Sequence, residues 1–373
     1  MKLKMATIAL DATYTVDPQP SGVAVYSRRL IESLAACGAP HRFLVCYRLS
    51  RFRRRREFLR PAPAGASGAP RFSLKLFQEP LTFWLKWQAD LFHSLAQRPA
   101  PFRFRKEIVT IHDIFPVTGR DYSTPEFQRK FSALLREAVC RAARLITPSA
   151  YTAEQLAQHL GVPRDTIRVI PEGVDPPARH LIPEERAQER DRLVGRGNVM
   201  LLSVGVLQTR KNTLAALRAL ELLPPRFQLV LVGGDGHGSE AVHEYIRRQG
   251  LSSRVRLLGH VPARDLRALY QAADVFVFPS LEEGFGLPVL EAMANSLPVV
   301  ASRTAALPEV GGPAALYIDP QDPRDLAEKV LQAVEDSSLR RKLVDLGLAR
   351  AEQFTWQRAA QATLKVYEEV LAL

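Results

Sequence analysis

The chain has 373 residues, 46% hydrophobic and 24% charged, the balance of a soluble globular protein able to bury large cores and, by length, to form two or three domains. No apolar run reaches the roughly 18 residues of a membrane-spanning helix, and three cysteines (Cys37, Cys46 and Cys140) without a CxxC spacing exclude a disulfide scaffold or zinc ribbon and fit reduced thiols in a cytoplasm. The net charge of +12 is local: residues 1–190 hold 30 Lys/Arg against 18 Asp/Glu, residues 191–373 hold 21 of each, and residues 42–106 alone carry 15 basic and 3 acidic side chains.

MATIALDA (5–12) reads as a buried first strand. Its apolar run is short, ends at Asp11 and lacks a small-residue cleavage site, so a signal peptide is not expected. A polar, proline-containing loop leads to Gly22, and VAVYSRRLIESLAACG (23–38) has helical spacing with a glycine stop at Gly38. HRFLVCYR (41–48) is a second strand. RFRRRREFLR (51–60) follows, then a flexible small-residue loop, PAPAGASGAP (61–70). FSLKLFQEPLTFWLKWQADLFHS (72–94) sets leucines, Phe77, Phe83, Trp84 and Trp87 beside Lys75 and Lys86. Basic residues with exposed aromatics suit an anionic membrane surface, which makes 51–106 a candidate docking region. A solvated charge run and an ordinary helix in the N-terminal core are the plainer alternatives. Nucleic acid is not expected as a partner, because a basic run alone is a weak signal for it.

EIVTIHDIFP (107–116) is a strand ending in His112 and Asp113, where a lone histidine is more often structural than functional. RLITPS (144–149) is a strand between two helices, with Ser149 placed to cap the second. TIRVIPEGVD (166–175) is a strand and turn containing Glu172. The charged segment 176–197 is expected to be a linker. NVMLLSVGVLQTRKN (198–212) opens a second domain with a strand, Gly205 and the basic pair Arg210 and Lys211. Two cations suit two phosphate charges, and Arg can bind bidentately. FQLVLVGG (227–234) is a further strand, and the glycines at 234, 236 and 238 lack the order of a Rossmann fingerprint. VRLLGHVPARDLRALYQAADVFVFP (255–279) alternates strand, helix and strand. LPVVAS (297–302) and LYIDP (316–320) are the last strands, and two long amphipathic helices close the chain.

The most informative stretch is PSLEEGFGLPVLEAMAN (279–295). It follows the buried strand VFVFP, carries Gly284 and Gly286, and places Pro288 where a helix begins and its missing N–H is harmless. Amides after Gly286, with the helix dipole behind them, favour an anion. Glu283 and Glu291, with seven residues between them, offer carboxylate oxygens to a diol. Donors for a phosphate and acceptors for hydroxyls together describe a sugar nucleotide.

This string resembles the E-x7-E signature of retaining family 4 glycosyltransferases. The resemblance implies the GT-B fold: α/β, with two Rossmann-like, doubly wound parallel-sheet domains facing a central cleft. The expected domains are an acceptor domain over 1–175, the linker 176–197 and a donor domain over 198–355, with the helix at about 356–373 packing back on the first. By resemblance, Gly22 matches a glycine of a loop near the diphosphate and acceptor, and V-T-I-H-D matches a segment whose histidine, here His112, faces the donor sugar. The 205–212 string resembles the mannosyltransferase-like G-x-L-x-x-R-K-N variant, with Val206 where some relatives carry arginine. Gly205, Arg210, Lys211 and the amides of Phe285, Gly286 and Leu287 would then hold the diphosphate, Glu291 the ribose and Glu283 the sugar. Backbone groups of the loop containing Val261 would hold the base. Glu172 stands where the family frequently has Asn.

The implied function is transfer of a hexose from a nucleotide-diphosphate sugar to a glycan or lipid-linked acceptor, in the cytoplasm or peripherally on the inner face of the membrane. The nucleotide sugar is a co-substrate. No further cofactor and no metal are expected, since no HxH or DxD cluster occurs. A phosphorylase or hydrolase on the same fold, and a non-catalytic basic binding protein, are the alternatives.

Overall fold

The computed structural model describes residues 5–17, 21–38, 40–59, 71–78, 81–118 and 121–373. The small-residue loop read over 61–70 lies outside them, as do Arg60 and part of the proline-containing loop. The chain forms two compact units, Met1–Thr118 with Pro125–Gly173 and Phe354–Leu373, and Gly119–Thr124 with Val174–Gln353.

The first unit is built on seven strands, β1 (Thr7–Asp11), β2 (Arg42–Arg48), β3 (Arg71–Phe77), β4 (Leu91–Ser94), β5 (Glu107–Thr110), β6 (Arg144–Thr147) and β7 (Ile167–Val169). They form one sheet in the order β3-β2-β1-β4-β5-β6-β7, and every pairing is parallel. A parallel sheet is covered by helices on both faces, so its inner strands are buried on both sides; every residue of β4 and β5 is buried, His93, Ser94, Glu107 and Thr110 included. The crossover helix Gly22–Ala36 packs Leu30, Ile31 and Leu34 into the same core as Trp356, Ala360, Tyr367 and Val370 of the helix Trp356–Ala372. Glu369 of that last helix bridges Arg144 at 2.6 Å and Arg168 at 3.0 Å.

The second unit has six strands, β8 (Val199–Val204), β9 (Phe227–Val232), β10 (Val255–Leu257), β11 (Val275–Phe278), β12 (Val299–Ser302) and β13 (Ala315–Ile318). Their order is β10-β9-β8-β11-β12-β13, again parallel throughout. β9 and β11 are buried along their full length. The doubly wound α/β architecture read from the strand and helix alternation is therefore present in both units.

Two stretches depart from readings given above. The ordinary helix that was one alternative for residues 72–94 is not formed: they fold as β3, a single helical turn Leu85–Gln88 and β4. β3 pairs with β2 from Arg42↔Arg71 to Arg48↔Phe77. Its alternation of Phe72, Leu74 and Leu76 with Ser73 and Lys75 is a strand period, but the aromatic density that follows conceals where it stops. Phe77, Leu85 and Phe92 enter the core, whereas Leu81 (62% exposed), Phe83 (44%), Trp84 (45%) and Trp87 (70%) face solvent. Within 176–197, read as a linker, Pro183–Val194 is a helix. Arg186 Nε donates to the Gln271 carbonyl at 2.7 Å, and Arg190 lies 3.5 Å from Asp274, so this helix is part of the second unit's own framework.

Candidate functional site

In the second sheet the chain runs outward from β8 to β9 and β10 on one side and from β11 to β12 and β13 on the other. The loops leaving the carboxyl ends of β8 and β11 therefore diverge, and such a switch point leaves a crevice suited to a ligand. The loop after β8 carries Gly205, Arg210 and Lys211. The loop after β11 carries Glu283, Phe285 and Gly286, and runs into the helix Leu287–Ala294.

Local chemistry ties these two loops together. Asn212 adopts a left-handed backbone (φ 53°) and its side-chain amide donates to the carbonyls of Pro279 at 3.1 Å and Pro320 at 2.8 Å. The Leu281 amide donates to the Arg210 carbonyl at 2.8 Å. Glu283 then receives both cations: Lys211 Nζ lies 2.6 Å from Oε1 and Arg210 Nη1 lies 3.1 Å from Oε2. Arg210 also donates to the Glu282 carbonyl at 3.0 Å, and Lys211 sits 4.8 Å from the centroid of the Phe278 ring. Burial alone would raise the Glu283 carboxyl, but the charges of Lys211 and Arg210 hold it below its ordinary value.

Gly286 has φ 105°, a backbone conformation that favours glycine at the helix entrance, and a Cβ there would also push against Leu307 Cδ2 at 2.6 Å. The first turn of that helix presents amides without intrahelical partners. Glu291, on the same helix, accepts a hydrogen bond from the buried Tyr270 hydroxyl at 2.9 Å. Burial and the Glu291 charge push the Tyr270 phenol well above its ordinary range, which keeps it a donor. At the end of the neighbouring strand β9, Gly233 packs against Gly205 so closely that a Cβ would lie 2.1 Å from the Gly205 carbonyl oxygen. The Gly233 amide donates to the Gly259 carbonyl at 2.8 Å, which ties down the loop that includes Val261.

Thus Gly205, Arg210, Lys211, Glu283, Phe285, Gly286, Leu287, Glu291 and Val261 all belong to the second unit. Gly22 and His112 belong to the first. Gly22 is the first residue of the helix Gly22–Ala36, and a Cβ there would meet open space; packing within the protein does not demand glycine. His112 follows β5, is buried, and has both ring nitrogens engaged, by Glu172 and by the Leu95 carbonyl, each at 3.0 Å. Sequence reading did not place Tyr270, Asn212 or the partnership of Glu172 with His112. Only Glu172 left a signal, a carboxylate in a short turn after an apolar strand. Among the described residues no group of three or more His, Cys, Asp or Glu is arranged to hold a metal, and no helix is long and apolar enough to cross a membrane.

Comparison with known proteins agrees with this architecture. Residues 185–348 match the family described as "Glycosyl transferases group 1", and residues 20–177 match "Glycosyltransferase Family 4". The O-antigen chain mannosyltransferase B of Escherichia coli is 33% identical over 277 residues, 72% of this chain and 71% of that one. The D-inositol 3-phosphate glycosyltransferase of Corynebacterium jeikeium is 34% identical over 63% of this chain and 59% of its own. The Anabaena HepE protein, solved with UDP-glucose, superposes with a TM-score of 0.75 at 20% identity, over 98% of this chain and 100% of that one. WaaG, described as a glycosyltransferase involved in lipopolysaccharide biosynthesis, superposes with a TM-score of 0.72 at 17% identity, over 96% and 99%. The two parallel sheets, the two family matches and the similarity to the mannosyltransferase together show that the chain belongs to the family 4 glycosyltransferases and has the GT-B fold.

Proposed function

We propose that the chain transfers a hexose of mannose or glucose type from a nucleotide-diphosphate sugar to a hydroxyl of a glycan or lipid-linked acceptor, with retention at the anomeric carbon. The observation that carries this reading is the Lys211–Glu283–Arg210 cluster beside the Gly286 helix entrance. Arg210, Lys211 and the amides of Phe285, Gly286 and Leu287 hold the diphosphate and stabilise the charge that grows as it leaves. Gly205 lets it approach the backbone. Glu291, oriented by Tyr270, takes the ribose diol, and backbone groups around Val261 take the base. A carboxylate has about four acceptor sites. Glu283 gives two to the cations and keeps capacity for sugar hydroxyls. Gly22 lies near the acceptor and His112 supports the sugar. No side chain is assigned as nucleophile: the departing phosphate oxygen takes the acceptor proton. No metal is given a step.

The names of the relatives support the mannose-type donor and a role in cell-surface polysaccharide or glycolipid synthesis. The site is tested by thermal stabilisation with UDP, GDP and ADP, then with their hexose conjugates. One diphosphate is expected to raise Tm selectively, and Lys211→Ala to abolish the shift. An equal shift in Lys211→Ala would remove that residue from the diphosphate site.

We also propose an anionic membrane surface as a partner of the first unit. Arg55 lies over the Phe52 ring, and Lys86 over the rings of Phe83 and Trp87, so cations and exposed aromatics are interleaved. Arg54 is excluded, because it donates to the Val16 carbonyl at 2.9 Å. Changing Arg53, Arg55 and Arg56 to serine is expected to weaken binding to anionic vesicles at least several-fold. Unchanged binding would refute it.

A further inference from the structure

His112 does not have a free ring nitrogen. Its Nε2 faces the Leu95 carbonyl oxygen at 3.0 Å, and a carbonyl only accepts, so Nε2 carries a proton. Its Nδ1 faces Glu172 Oε1 at 3.0 Å, and an ionised carboxylate also only accepts. The two contacts are satisfied together by an imidazolium. The ring is fixed further by the edge-on contact with Tyr26, 4.6 Å between centroids. Its own backbone is held as well, the amide by Gln97 Oε1 at 3.3 Å and the carbonyl by the Thr152 hydroxyl at 3.3 Å.

The groups facing this ring agree on its charge. Glu172 arrives from the turn after β7, and Asp113 lies on His112's own loop. Tyr26, from the helix Gly22–Ala36, stays a neutral phenol because burial raises it. His93, on β4, is neutral, spanned by the Tyr367 hydroxyl at 2.7 Å and the Thr110 hydroxyl at 2.8 Å. Burial opposes a charge on His112, but the hydrogen bond and charge of Glu172, the Leu95 carbonyl and the charge of Asp113 carry it above its ordinary value.

We propose that Glu172 is a positioning residue that holds His112 as an imidazolium with both N–H groups spent inside the first unit, so that His112 serves the reaction as a fixed cation and not as a titrating base. The functional half of this rests on the proposed sugar-transfer reading, in which the acceptor proton goes to the departing phosphate and needs no histidine. It predicts that the pH profile of turnover carries no ionisation from His112 at the ordinary histidine value of about 6.5.

The ring nitrogen shifts of the full chain, labelled with ¹⁵N-histidine, test it, with a His112→Asn spectrum to assign the resonances. Both His112 nitrogens are expected at protonated shifts at pH 7, where an ordinary histidine is mostly neutral. In Glu172→Gln the ring is expected to turn neutral above about pH 6.5. The kcat profile should then gain an ionisation there, and Glu172→Asp should move it back toward the wild type. An unprotonated His112 nitrogen in the wild type at pH 7, as in a neutral pair with the proton on Glu172, would overturn the proposal whether or not the Glu172 variants fold. Overlapping kcat profiles for wild type and Glu172→Gln would overturn the functional half. The nitrogen shifts do not depend on turnover, so an absence of sugar transfer would refute the proposed function and leave the imidazolium standing.

Discussion

Unit 1 contains a buried histidine that must stay neutral, and this makes the unit acid-labile in a calculable way. His93 is fully buried between Tyr367 and Thr110, and burial, with the charge of His112 beside it, pushes its pKa down to about 3. Between pH 3 and 6.5 the unfolded chain therefore binds a proton that folded His93 refuses, so stability falls as pH falls through that window. At pH 5 the unfolded histidine lies about 1.5 units inside its charged range, and at about 1.4 kcal/mol per unit the loss is about 2 kcal/mol relative to neutral pH. His112 has the opposite sign: its raised value gives stability that is fully present below 6.5 and lost as pH rises through its folded pKa, so its contribution is flat from pH 6 to 5. Trp84, Trp87 and Trp356, the three tryptophans of the chain, all lie in the first unit, so urea melts followed by tryptophan fluorescence report this unit. His93→Gln keeps one donor and one acceptor without titrating. It is expected to be less stable than wild type at pH 7 but to close the gap by about 2 kcal/mol at pH 5. His41, also held low by burial, is common to both proteins and cancels in the difference. Parallel stability curves from pH 7 to 5 would refute the assignment of a neutral, buried His93.

Glu283→Gln leaves Arg210 and Lys211, each with a side chain 14% exposed, without their carboxylate. Breaking a buried pair in this way costs on the order of 3 kcal/mol, and a bound diphosphate should restore part of it. Differential scanning fluorimetry should therefore show a lower Tm and a larger shift with nucleoside diphosphate than in wild type, with turnover reduced; an unchanged shift would separate the cations from the phosphate. Tyr270→Phe removes one hydrogen bond to Glu291, about 1 kcal/mol, and should weaken nucleotide binding roughly fivefold by calorimetry, whereas an unchanged Kd would detach Glu291 from the ribose. Gly233→Ala drives a Cβ to 2.1 Å from the Gly205 carbonyl oxygen and should lower unfolding stability by about 3 kcal/mol. Gly22→Ala meets open space and should leave the melt unchanged within about 0.5 kcal/mol while slowing turnover. A normal rate for it would limit Gly22 to starting a helix.

What the sequence exposed and what it hid follow from the range of the forces involved. Strands buried on both faces, such as VFVF in β11 and FQLVLV in β9, need continuous apolar runs and are legible one residue at a time. β3 and β4 were not, because β3 is an edge strand with Leu74 38% exposed and half of β4 is the polar pair His93 and Ser94. The glycine and proline of the 279–295 stretch were legible because they answer local backbone demands. The Glu172–His112 pair joins residues 60 apart, and neither the spacing nor the composition of its segment announces the partner. Tyr270 and Glu291 are closer in sequence but meet only because β11 runs between their two helices.

In the proposed function, the cation cluster also gives a reason for the E-x7-E stretch to begin with a carboxylate at a site that would receive an anion. Arg210 and Lys211 are mostly buried, and two adjacent guanidinium and ammonium groups without a counter-charge would repel each other and lose hydration. Glu283 compensates one of the two charges and fixes both heads through separate oxygens, at 3.1 and 2.6 Å. Glu283, which fixes the two cations, stands on the loop that runs into the Gly286 helix entrance. A diphosphate entering there meets donors already positioned, so little reorganisation is needed as its charge grows. The carboxylate is thus a condition for having the cations pre-placed. This is the reason Glu283→Gln should lose turnover while its affinity for the bare diphosphate is kept or increased. A variant that lost both equally would show that Glu283 contacts only ligand and does not organise Arg210 and Lys211.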